Sequence, residues 1–221
     1  MKLTKTRISI FILCILYAVG LFGTVFLGLD LMHLTAVNLI ISAFLLFLNH
    51  VNIDLRFVLY AIIVFVCGWL LEWAGVETGK IFGQYFYGNN LGYKLLDVPI
   101  IIGINWLLLN YCSSVIATRL FAKSAKLNSW LPKATLAALL MVLVDIFIEQ
   151  VAPTCDFWYW KNQTVPMQNY TAWFAFAFAF SYLFQKLNIH SENKLATWLY
   201  GLMLTFFVGL NVLPILFSGM N

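Results

Sequence analysis

Apolar residues along this chain gather into seven runs, near residues 8–27, 34–48, 57–73, 99–118, 134–152, 172–187 and 195–217, separated by polar connectors. A hydrocarbon core about 30 Å thick needs roughly 20 apolar helical residues to cross it. The pattern therefore predicts an all-α, polytopic membrane helix bundle, a single transmembrane domain over residues 1–221. The second and sixth runs are short for a span. Lys2, Lys5 and Arg7 precede the first run, as they would in a secretion signal. That run is too long for a signal core and no small-residue cleavage site follows, so it is expected to remain as a helix.

Two connectors, 74–98 and 153–171, are much longer than the others and rich in Gly, Pro, Asn and aromatic residues. Cations settle the expected orientation. Lys2, Lys5, Arg7, Arg56, Arg119, Lys123, Lys126, Lys133, Lys186 and Lys194 fall on one side, against Lys80, Lys94 and Lys161 on the other. The richer side is cytoplasmic by the positive-inside rule. The N-terminus is then cytoplasmic, and both long connectors lie outside. Glu72, Glu77, Asp97, Glu149 and Asp156 cluster at that outer end, with Asp145 one helical turn deeper than Glu149.

Composition narrows the classes further. With 62% hydrophobic and 10% charged residues the chain is no ordinary soluble domain. The net charge of +4 resides in membrane-flanking loops rather than in a basic stripe, so no nucleic-acid partner is expected. Cys14, Cys67, Cys112 and Cys155 are far apart and read as small apolar residues. His33, His50 and His190 are dispersed and form no metal-binding set, and no glycine-rich dinucleotide motif is present. No metal and no organic cofactor is expected. What remains is acid–base chemistry on an apolar substrate, or transport.

Asp145 and Glu149 stand four residues apart, so on a helix they share one face. Two carboxylates in poor solvent do not both ionise cheaply. One would keep a proton to give while the other accepts one, the division of labour of a general acid and a general base. Glu72 joins them if the third and fifth helices are neighbours. The same spacing would also serve a polar pair locking two helices together, or a cation site.

Two long blocks carry a resemblance. The first is Glu72-x-x-Gly75-Val76-x-Thr78-Gly79-x-x-Phe82-Gly83-x-Tyr85-x-Tyr87, followed by Leu91-Gly92, Val98-Pro99 and Trp106. The second is Asp145-x-x-x-Glu149-x-Val151-Ala152-Pro153, then Trp158-x-Trp160, Val165-Pro166-x-x-Asn169 and Trp173. Together they resemble the signatures of a carotenoid biosynthesis family that includes the CruF-type carotenoid hydratases. Gln150 stands where that pattern has proline, and Lys161–Gln163 replaces a more aromatic stretch.

The resemblance implies water addition across a terminal C=C bond of an acyclic carotenoid, through a tertiary carbocation, without a cofactor. Asp145, the deeper of the pair, is read as the acid and Glu149 or Glu72 as the base, although the sequence leaves the two labels exchangeable. Tyr85, Tyr87, Trp158 and Trp160 would line the cation site, where each ring face is worth about 1–2 kcal/mol when desolvated. Trp106 and Trp173 complete the expected substrate-binding set, and Asn169 would hold the water or a carboxyl. The implied partners are an acyclic carotenoid and the lipid bilayer, in the cell membrane of a prokaryote. Two other readings stay open: a lycopene-cyclase-like enzyme using the same cation, and a small transporter whose carboxyls carry protons or cations. Oligomeric state is not legible.

Overall fold

The computed structural model describes residues 4–124 and 126–218. Helices form where the apolar runs lie: α1 (Lys5–Leu27), α2 (Thr35–Leu48), α3 (Leu55–Thr78), α4 (Ile101–Phe121), α5 (Trp130–Val151), α6 (Met167–Lys186) and α7 (Lys194–Ser218). Local chemistry fixes several ends. The Thr4 hydroxyl accepts from Arg7 N, and the Asp54 carboxylate accepts from Phe57 N at 2.9 Å; these are N-caps for donors a helix start leaves free. Gly28 and Gly79 close α1 and α3 in the left-handed region, at φ of 63° and 64°.

The all-α bundle expected from the pattern is what forms. Five helices, α1, α3, α4, α5 and α7, are long and apolar enough to cross a membrane; α2 and α6 fall outside that set. α2 is too short, and α6 interleaves its Ala and Phe residues with Gln168, Asn169, Ser181 and Gln185. α4 is the hub, packed against α2, α3, α5, α6 and α7. Almost every side chain from Trp106 to Val115 on it is buried. α1 instead packs mainly along α7, and it exposes Phe11, Val19 and Phe22 on the bundle's outer surface. Phe44 and Ile62 are exposed likewise, a distribution that suits hydrocarbon rather than water.

Two boundaries differ usefully from the sequence expectation. α3 continues past Trp73 to Thr78, because nothing before Gly79 breaks it, and α6 begins at Met167 directly after Pro166. Asn169, expected in a connector, is therefore held on a helix. The long connectors also carry short strands that were not expected. β1 (Tyr85–Tyr87) pairs antiparallel with β4 (Trp158–Trp160), and β2 (Lys94–Leu95) pairs with β3 (Val98–Pro99). The β1–β4 ladder stitches one connector to the other across the end of the bundle. It is too small to be stable alone. Gly88 N donates to Phe157 O at 2.8 Å, and the Asp156 carboxylate accepts from Asn89 N and from the Tyr159 hydroxyl. Gly88 itself is required by close approach, since a Cβ there would lie 2.2 Å from Asp156 Oδ1.

Candidate active site

Strand alternation aims the aromatics. In β1 and β4 successive side chains point to opposite faces, so Tyr85, Tyr87, Trp158 and Trp160 turn into the bundle while Phe86 and Tyr159 stack outside at 5.4 Å. The register sets Tyr85 opposite Trp160 and Tyr87 opposite Trp158. Four aromatic rings thus form a lid over the ends of α3 and α5, where Glu72 and Glu149 are buried.

Each glutamate receives three hydrogen bonds. Glu72 Oε2 accepts from the Tyr85 and Tyr87 hydroxyls at 2.6 and 2.8 Å, and Oε1 accepts from Trp106 Nε1 at 2.9 Å. Glu149 Oε2 accepts from Trp160 Nε1 at 2.7 Å and Trp158 Nε1 at 3.1 Å. Its Oε1 accepts from Asn169 Nδ2 at 3.1 Å. The same amide nitrogen donates to Asp145 Oδ2 at 3.0 Å, so Asn169 on α6 bridges the Asp145–Glu149 pair on α5. Asp145 is fully buried, and its Oδ1 has no partner. All these donors are neutral: phenols, indoles and one amide. Burial first, and then the adjacent Glu72 carboxyl, push the Tyr85 and Tyr87 phenols well above their usual range, so both remain O–H donors.

A cavity of about 20 Å³ lies among these groups, lined by Glu72, Glu149, Asn169, Trp158, Trp160 and Trp173 together with Tyr85 and Tyr87. That is room for about one water molecule. A more polar recess of about 250 Å³, lined by Gln84, Asn162, Thr164 and Gln168, lies on another side of Trp160, which borders both. Gly75 makes the close packing possible: a Cβ there would sit 2.7 Å from the Phe82 ring and 3.0 Å from the Tyr85 hydroxyl.

All ten residues singled out from the sequence converge here, though not equally. Glu72, Glu149, Tyr85, Tyr87, Trp158, Trp160, Asn169 and Trp173 face the cavity. Trp106 lies behind Glu72, stacked on Trp173 with ring centroids 4.2 Å apart, and Asp145 lies behind Glu149. Sequence reasoning missed Phe82, Ile102 and Asn105, which also line the cavity. Asn105 carried a signal, being an amide beside Trp106 within the apolar stretch 100–109. Among the described residues, no group of three His, Cys, Asp or Glu side chains is arranged to hold a metal ion.

Comparison with known proteins adds family context. A family model described as carotenoid biosynthesis protein matches residues 30–220. The bisanhydrobacterioruberin hydratase of Haloarcula japonica is 31% identical over 107 residues, which is 47% of this chain and 36% of that protein. The match therefore spans only about a third of that relative's length. No solved structure matches.

Proposed function

The chain belongs to the carotenoid biosynthesis protein family, and from that premise we propose that it is a carotenoid hydratase, adding water to a terminal C=C bond of an acyclic carotenoid. The observation that carries this reading is a pair of unequal carboxyls, Glu149 lining a cavity of one-water size and Asp145 fully buried behind it. Glu72 and Glu149 each accept three hydrogen bonds, whereas Asp145 accepts one and its Oδ1 has no partner, so Asp145 is the carboxyl with an oxygen free to carry a proton.

In this mechanism Asp145 is the proton source, and its proton reaches the less substituted carbon of the terminal double bond by way of Glu149, the member of the pair that lines the cavity. The π pair forms the new C–H bond and leaves a tertiary cation on the neighbouring carbon. The ring faces of Trp158, Trp160, Tyr85 and Tyr87 stabilise that cation. Water held at Glu149 attacks the cation, and Glu149 takes the proton the water loses. The proton then returns to Asp145, one helical turn away, and the net change is the addition of one water. Glu72, fixed by Tyr85, Tyr87 and Trp106, supplies negative charge beside the cation and orients the water. The relative's name supports hydration over cyclisation, since both would pass through the same cation.

Co-expression in a host that accumulates lycopene and related acyclic carotenoids tests this. A pigment heavier by one water, lost with Asp145→Asn, is the expected result. An isomeric product would favour a cyclase. Unaltered pigment from well-inserted protein would count against the proposal.

A further inference from the structure

The carboxyl cavity is too small for a long hydrocarbon, yet α1, α2 and α7 leave a cavity of about 370 Å³ beside it. That volume falls in the range of small-molecule sites. Leu16 and Gly20 of α1, Val37 of α2, and Met203 and Phe206 of α7 form its walls, with Met32 at the turn before α2. No charged residue lines it. Its inner end is shared: Ile102, Asn105 and Trp158 line both this cavity and the carboxyl cavity. Trp158 thus gives its Nε1–H to Glu149 while its ring also borders the apolar side. At the other end Val19, Leu34 and Val37 are about half exposed on the outer surface of the bundle, so the cavity opens sideways between helices. Gly20 keeps it open, because a Cβ there would already approach the Phe206 ring to 3.2 Å.

We propose that this furrow is the binding site for the hydrocarbon tail of an acyclic polyene, entered sideways from the bilayer, with the end group passing Ile102, Asn105 and Trp158 to reach the carboxyls. The occupant's identity rests on the hydratase reading. Continuity with the carboxyl cavity, apolar walls and a mouth on the lipid-facing surface argue for a linear apolar ligand. Met32 and Met203 supply flexible, polarisable walls suited to a chain that must slide. The proposal gives a role to α1, α2 and α7, which supply none of the carboxyl-site residues.

The test is equilibrium binding, which needs no turnover. Purified protein in lipid nanodiscs is titrated with lycopene, and occupancy is read from quenching of tryptophan fluorescence and from the induced circular dichroism of the polyene. Gly20→Phe and Val37→Trp, which fill the furrow, should each weaken binding roughly tenfold or more, as loss of about 60 Å² of apolar contact would. Ile62→Trp, an exposed change on α3 away from both cavities, should bind like the parent protein. Val37 sits at the half-exposed mouth, so Val37→Trp carries the test if Gly20→Phe fails to fold. Parent-like affinity in the folded furrow variants, or no binding by the parent protein, overturns the proposal. A furrow-dependent lycopene site in a protein that adds no water would uphold the furrow and reject the hydratase.

Discussion

Exchanging Glu149 for glutamine keeps size and shape but turns an acceptor-only group into one that also donates. Glu149 Oε2 serves the Trp158 and Trp160 indoles at 3.1 and 2.7 Å, and Oε1 serves Asn169 Nδ2 at 3.1 Å. The amide oxygen of glutamine can still take both indoles. Its NH2 would then face the Asn169 NH2, donor against donor. Asn169 could turn its amide to offer oxygen, but Asp145 Oδ2 would lose the donor it now has. Either way one buried polar atom goes unpaired, at about 1–3 kcal/mol. For a chain of 221 residues that lowers Tm by roughly 2–12 °C, at about 2–4 °C per kcal/mol. Hydration should suffer far more, since removing a general base costs about 10²–10⁴ in rate, or roughly 3–5 kcal/mol of barrier. Thermal unfolding in nanodiscs, followed by tryptophan fluorescence, reads the first effect. Turnover of an acyclic carotenoid, followed by chromatography and mass spectrometry, reads the second. A folded variant keeping more than about a tenth of parental turnover would refute the base assignment. An unchanged Tm would refute the donor accounting.

Tyr85→Phe and Tyr87→Phe each remove one donor from Glu72 Oε2 and should each cost about 1–3 kcal/mol of stability; because they share one oxygen, the double variant should depart from additivity by about 0.5 kcal/mol or more in denaturation experiments. Gly88→Ala would drive a methyl into Asp156, 2.2 Å from Oδ1, and should destabilise by about 1–3 kcal/mol with a parallel loss of activity, as thermal unfolding and turnover will show. Burial pushes the Cys155 thiol up to about 11, so at pH 8 roughly one thiol in a thousand is ionised. Iodoacetamide should leave Cys155 unlabelled in the native protein at pH 8 and label it after denaturation, as peptide mass mapping will report.

The helices were legible because seven apolar runs with charged flanks leave the backbone few other ways to satisfy its hydrogen bonds in lipid. The Asp145–Glu149 pair was legible from its spacing alone. Its closure with Glu72 was not, because that depends on α4 and α6 bringing Trp106 and Asn169 between α3 and α5. The strands escaped notice although their signal is present: Tyr85-Phe-Tyr87 and Trp158-Tyr-Trp160 both follow the period of two that turns alternate rings inward. The glycines around them read as sites of tight turns and close approach, and Gly75 and Gly88 do permit close contact with Phe82 and Asp156. The furrow was invisible in sequence, because a wall of Leu, Val and Met residues reads the same as a lipid-facing surface. Only the packing of α1 against α7, and of α2 against α4, distinguishes the two.

Central to the account is that water, held at Glu149, becomes the hydroxyl of the product. The most direct measurement supplies an acyclic carotenoid to the purified protein in water enriched in heavy oxygen, and reads the product by mass spectrometry. The account predicts one heavy oxygen per hydrated end, with the rate of labelled-product formation falling by about 10²–10⁴ in both Asp145→Asn and Glu149→Gln. A product of unchanged mass, or labelled product formed at the parental rate by both folded variants, would contradict it.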